Sequence, residues 1–223
     1  MRTLLSISML MLVLVGGGCR HFSSHSGVKG SGKREVQKRE IGPFTTIRTE
    51  GAFNIDVVCQ KDLSLEVEGD DNILPLVTAE VSNGTLYLKN NQSYSTSQPV
   101  TFRITAPNLE GLAVTGAGKI AIKGMNNEKF EIDSDGAPTI DVAGSTKLID
   151  IDANGAGKID AHNLEAARGV IESKGVCRVE VDIAEHLDVT VSGPSSVTYQ
   201  GNPTVNKTIN GPGKVERRAT EGA

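Results

Sequence analysis

The chain of 223 residues has no tryptophan, three tyrosines and five phenylalanines. Sugar rings and unpaired bases are commonly held on aromatic faces, so this is poor material for a stacking lectin groove. Positive charge is also in short supply, with 23 Lys and Arg against 27 Asp and Glu and a net charge of −4. An acidic chain with so few rings excludes a nucleic-acid partner. No HExxH or GxSxG motif occurs, and of four histidines only His162 and His186 lie outside the first 25 residues. The one extended apolar run is short and lies at the N-terminus.

That run, Leu4 to Val15, follows Arg2 and is interrupted by Ser6 and Ser8. It falls short of the roughly 20 residues a spanning helix needs, and it reads as a secretory signal over residues 1–18. Gly16, Gly17 and Gly18 lead directly into Cys19. Small residues before a cysteine resemble the lipobox of bacterial lipoproteins, and this makes Cys19 the candidate lipidation site. An ordinary signal peptide with an incidental cysteine is the alternative. Acylation would anchor an exported domain stably, at the outer membrane or on a periplasmic or surface face, without a spanning helix.

Residues 19–40 are rich in Ser, Gly, Lys and Arg, and are expected to be a flexible tether. They hold six Lys or Arg against two Glu, whereas residues 41–223 hold 16 against 25. A basic tether below an acidic head fits anionic lipid or polysaccharide nearby, or is simply solvated.

The second half is a repeat. One phrase recurs as GAGKIAI at Gly116, GAPTIDV at Gly136, GAGKIDA at Gly155, GVCRVEV at Gly175, GPSSVTY at Gly193 and GPGKVER at Gly211. The starts are 18 to 20 residues apart, and an earlier copy, GAFNIDV, begins at Gly51. A glycine corner followed by alternating apolar residues at this period predicts an all-β fold, a right-handed parallel β-solenoid with coils of about 19 residues over 111–218. Residues 41–110 are expected to form an irregular N-terminal section that includes a hairpin, with Asn83-Gly84 supplying the positive-φ turn. The leading glycines and the third slot of each phrase are expected to face inward. Asp70 to Asn72 are expected to cap one helical turn kept short by Pro75. Lys207 stands where an apolar residue is expected, which marks either a terminal cap or a bulge.

The order of parts from Phe44 to Arg217 resembles the auto-transporter adhesin head, GIN domain family. The resemblance rests on Phe44-x-x-Ile47 followed by EGAFNIDV, then VSNGTLYL, then Ile104-Thr-Ala-Pro107-x-Leu109 before TGAGKI, and then the glycine-rich array. It implies an exported or lipid-anchored all-β protein and brings no catalytic residues with it.

The outward aspartates are the constellation most suggestive of chemistry, and Asp133, Asp150, Asp152 and Asp160 are the candidates for facing a ligand. Rows of carboxylates bind Ca²⁺ in some repeat proteins, but there the Asp lies in the turn, whereas here it lies in the strand. A solvated polar face accounts for them, so no metal or other cofactor is expected. Cys59 and Cys177 both fall on inward positions several coils apart, too far for a bridge, and no disulfide is expected. The expected function is a non-catalytic envelope module that presents its head to a polysaccharide or a protein, with the membrane met through the N-terminal lipid. A self-assembling scaffold is the alternative, which leaves room for an oligomer, and a carbohydrate-active lyase or hydrolase is a further one. The irregular residues 60–100 and the Lys207 end are where a partner is expected to bind.

Overall fold

The computed structural model describes residues 27–218. The expected signal segment and Cys19 therefore lie outside the described residues. Among the described residues no helix is long and apolar enough to cross a membrane.

The fold is all-β. In chain order the strands are β1 (Val28–Lys29), β2 (Arg34–Lys38), β3 (Thr46–Cys59), β4 (Ser64–Asp70), β5 (Val77–Ser82), β6 (Thr85–Asn90), β7 (Tyr94–Ser95) and β8 (Thr101–Ala106). They continue with β9 (Gly111–Gly155), β10 (Lys158–Gly175), β11 (Arg178–Ser192), β12 (Ser196–Gln200), β13 (Thr204–Asn210) and β14 (Lys214–Arg217). One sheet runs in the order β14-β12-β11-β10-β9-β3-β8-β4-β2, with β13 on β11 and the β5–β6 hairpin on β3. Every pairing of β3 and of β9 to β14 is parallel. The antiparallel pairs β2–β4, β4–β8 and β5–β6 are confined to the N-terminal end.

The repeat phrase sets the register. Gly51 pairs with Gly116, and Gly155 with Gly175, so each copy lies on the one before it. Apolar residues of the strand tails alternate inward. Ile120, Ile140, Ile159, Val179 and Val197 are each at most 1% exposed. The leading glycines, expected inside, prove half-buried or exposed. Their glycine character has another cause. Gly155 has φ +109°, and a Cβ built there would lie 2.3 Å from the carbonyl oxygen of Gly136 in the layer below. That oxygen also accepts the Ala156 N–H at 2.8 Å. The corner is a place where successive backbones touch, and no side chain fits between them.

The third slot is inward as expected, and it is the packed position. Phe53, Pro138, Gly157, Cys177 and Ser195 are all buried. Phe53 fills the N-terminal end of this column and packs edge-to-face on Phe102, with ring centroids 5.2 Å apart. Gly118 stands beside it in register, so the large ring is matched by a residue with no side chain. The Ser195 hydroxyl donates to the Gly175 carbonyl at 3.0 Å and accepts the Cys177 N–H at 3.2 Å, which satisfies a polar group within the core.

The expected tether is ordered from residue 27 onward. β1 pairs with β7, and β2 adds to β4 as an antiparallel edge strand. Charge explains why a segment with so little apolar surface docks. Arg34 faces Glu68 at 3.3 Å and Asp70 at 3.9 Å, and Lys38 faces Glu66 at 3.7 Å. The Arg39 guanidinium donates to the carbonyls of Val77 at 2.7 Å and Leu74 at 2.9 Å. Asp70 is 2% exposed and accepts the Gly32 N–H and the Thr96 hydroxyl. The excess of basic residues read from the sequence is thus spent on β4 and the loops beside it. Residues 19–26 of the expected tether lie outside the described residues.

The hairpin is as expected, with Asn83 at φ 51° and Gly84 at φ 75°. Residues 70–76 differ. A single 3-10 turn, Leu74–Leu76, carries Pro75, and its N-cap is Ile73 with no side-chain cap bond. Asp70 and Asp71 instead bond Thr96 and Ser31, holding the N-terminal segment. At the other end β13 pairs with β11 in unbroken register, with Lys207 beside Val189. No bulge turns Lys207 away. It lies exposed on the last layer, where there is no further chain to bury an apolar residue.

Candidate functional site

A groove of about 950 Å³ crosses the parallel stack where three layers meet. Its origin lies in residue size. Thr46 and Arg48 on β3 pair in register with Gly111 and Ala113 on β9. The Glu131 N–H donates to the Glu110 carbonyl at 2.9 Å, which places Glu131 beside Gly111 and Asp133 beside Ala113. Three adjacent layers therefore carry Thr and Arg, then Gly and Ala, then Glu and Asp on the same outward positions. The middle layer has almost no side chain, so it becomes a floor. The outer layers are two strand spacings apart, roughly 9–10 Å between backbones. One end is lined by the amides of Asn108, Asn126 and Asn127 together with Lys147.

The charges of the groove are mostly matched. The Lys129 ammonium pairs with Glu131 and lies 3.7 Å from Asp150, and these partners, Glu131 first, raise its pKa. Lys147 pairs with Glu128 at 2.8 Å, and Glu110 accepts a bond from Asn108 at 3.1 Å. Asn127 donates to the Leu109 carbonyl at 2.6 Å, while its own side-chain oxygen is buried without a partner. Arg48 and Asp133, both exposed, form no ion pair among the described residues.

The four sequence candidates are not gathered in one place. Asp133 lines the groove and Asp150 reaches its edge through Lys129. Asp152 lies in the next layer, where it accepts a bond from Asn154 at 3.1 Å and stands in register with Glu172. Asp160 lies on a different stretch of the stack, in register with Asp141 and Glu180. There, Asp160, His162 and Glu180 offer ligand atoms within 4.8 Å of one another. The Lys158 ammonium sits between the two carboxylates, 2.8 Å from Asp160 and 3.7 Å from Glu180, and supplies the charge a cation would bring. Burial pushes the Asp160 carboxyl up, but the bonds from Lys158 and His162 more than reverse this and hold it at about 2. Several outward carboxylates pair with a Lys two residues away on the same strand face, as in Lys158–Asp160 and Lys214–Glu216.

Sequence reading missed Arg48, Asn126 and Lys129, and looked for a binding surface in residues 60–100 and at Lys207. The one signal available was an interruption: Gly111 and Ala113 occupy outward positions that carry Glu131 and Asp133 in the next layer. Cys59 and Cys177 are both buried thiols. Cys59 contacts the Met125 sulfur at 3.5 Å, and burial pushes its pKa up to about 11. Cys177 lies against the carbonyls of Ala153 and Gly155, both at 3.5 Å.

Comparison with known proteins follows the fold. A crystal structure described as a putative adhesin from Bacteroides fragilis shares 24% identity, with a TM-score of 0.72, over 86% of this chain and 100% of that one. A second, described as a putative lipid binding protein from Parabacteroides distasonis, shares 19% identity with a TM-score of 0.50, over 86% and 99% of the two chains. At these identities the likeness is one of fold. No curated protein matches the chain. The sequence profile of the family described as "Putative auto-transporter adhesin, head GIN domain" matches residues 43–203, from the first layer of the stack to the loop before β13. The chain belongs to that family.

Proposed function

We propose that the protein is an exported, non-catalytic binding module of the cell envelope, lipid-anchored through Cys19, whose groove holds a polysaccharide chain. The parallel stack is, on this reading, a right-handed β-solenoid that serves as a rigid frame. The observation that carries the proposal is the groove floored by Gly111 and Ala113. It is open and lined mostly by polar and charged residues, among them the amides of Asn108, Asn126 and Asn127 and the charged side chains of Arg48, Lys129, Glu131 and Asp133. Such a surface suits a hydroxyl-rich chain bound by hydrogen bonds more than an apolar ligand. The pairing of Glu128, Glu131 and Glu110 with Lys147, Lys129 and Asn108 suits holding a ligand, whereas glycosidic cleavage requires a proton-donating acid facing a second carboxylate.

The test is a glycan array with the protein, repeated with Ala113→Tyr, which fills the floor from an outward position. Reproducible hits that disappear in Ala113→Tyr, with unchanged thermal stability, are expected. Hits that persist in the filled variant would place binding elsewhere. The open edge of β13, exposed at every residue except Val205, favours a second reading as an assembling scaffold. A blank array together with concentration-dependent oligomers would support it.

A further inference from the structure

We infer that the groove selects an acidic saccharide, one bearing a carboxylate such as a uronate, and that Arg48 is the residue that recognises it. The inference rests on the polysaccharide reading above and adds the chemical class of the sugar.

Of the three cations lining the groove, two are already committed. Lys129 is paired with Glu131 and Asp150, and Lys147 with Glu128. Arg48 is exposed and has no carboxylate within ion-pair distance among the described residues. Its neighbours in register do not neutralise it, since they are Tyr87 on one side and Ala113 on the other. Its nearest candidate partner across the floor is Asp133, and the two-strand width keeps them apart. The guanidinium therefore projects at the lip of a groove whose floor has no side chains to occupy it.

A planar guanidinium presents paired N–H donors that match the two oxygens of a carboxylate. A uronate ring lying on the Gly111–Ala113 floor could place its carboxylate on Arg48 and offer hydroxyls to Asp133 and the Asn126 amide on the other side. The opposite polarity of the two walls also fixes the orientation of the ring, because a carboxylate placed against Asp133 would be repelled. A neutral sugar offers Arg48 only hydroxyl acceptors, and gains less from it than a carboxylate does.

Isothermal titration with an oligouronate and with the same oligosaccharide after carboxyl reduction tests this directly. The native protein should bind the acidic chain at least tenfold tighter, with an advantage that shrinks as salt rises. Arg48→Gln should remove that advantage, bringing affinity for the acidic chain down to that for the reduced chain. Arg48→Lys should restore it only in part, because a point charge lacks the paired donors. Equal binding of both chains by the native protein, or an acidic preference that survives in Arg48→Gln, would overturn the inference and leave the polysaccharide reading intact. Binding of neither chain, together with a blank array, would remove both.

Discussion

The corner contact between Gly136 and Gly155 allows a graded test of what holds the stack together. Gly155→Ala introduces two penalties that the structure separates. The first is conformational, because an L-residue at φ +109° lies in a region glycine alone visits readily, at a cost of about 1–3 kcal/mol. The second is steric. The new Cβ would lie 2.3 Å from the Gly136 oxygen, about 1 Å inside ordinary contact, and that oxygen accepts the Ala156 N–H. Relieving the overlap requires the two layers to part where a backbone hydrogen bond joins them, at a further cost of about 1–2 kcal/mol. The sum is roughly 2–5 kcal/mol, a large share of a domain's stability. Gly211→Ala separates the terms. Its φ is +119°, but the nearest atom to its Cβ is 3.4 Å away, because the last layers are less tightly apposed. It should cost only the conformational part. Urea unfolding followed by circular dichroism, with m-values compared, gives both numbers. If Gly155→Ala and Gly211→Ala lie within about 0.5 kcal/mol of each other, backbone contact between layers is not what selects glycine at the corner.

Two other predictions concern the ends of the fold. Arg34→Ala removes donors to the Gln98 and Pro99 carbonyls, one of the two arginines that hold Glu68, and the ion-pair partner of Asp70, leaving Asp70 buried with less compensation. It should free β2 selectively, raising amide exchange over 34–38 while β9 to β11 stay protected, and uniform exchange across the sheet would contradict a separable strap. In acid, the depressed pKa of Asp160 means that its stabilising contribution is complete above the unfolded value near 4. It is lost as pH falls from there through the folded value of about 2. Asp160→Asn should therefore flatten the stability profile between pH 4 and 2, and an unchanged profile would show that the Lys158–Asp160–His162 cluster adds nothing to folding.

The alternation of Ile159, Ala161, Val179 and Val181 was legible from the sequence because inward and outward positions in a strand differ by one residue and need no knowledge of neighbours. The placement of Gly51 on Gly116 was legible for a similar reason, since a repeated phrase predicts its own register. Other features depended on partners distant in sequence. Residues 34–38 read as a solvated tether because their complement, Glu66 to Asp70, is about 30 residues away. Local composition records too little apolar surface but cannot record a matching row of carboxylates. The leading glycines read as core residues because their parity was correct. Their actual constraint is contact between backbones, which polarity patterns do not register.

The groove was hidden by the same property that made the fold readable. A repeat draws attention to what recurs, such as the aspartates, and some of these, Asp150 and Asp160 among them, are held by lysines in neighbouring positions. A binding surface on such a stack has to arise where recurrence fails across three layers at once. Gly111 and Ala113 are unremarkable as single residues, and so are Thr46 and Arg48. They become a site because a spacing of 65 residues sets Arg48 beside Ala113, and 20 more set Asp133 on the far wall. Among the cations that line the groove, Arg48 is the one with no carboxylate partner among the described residues, since Lys129 and Lys147 are both paired. Within this groove, an unpaired guanidinium beside a floor of Gly111 and Ala113 is where an external anion can contribute most.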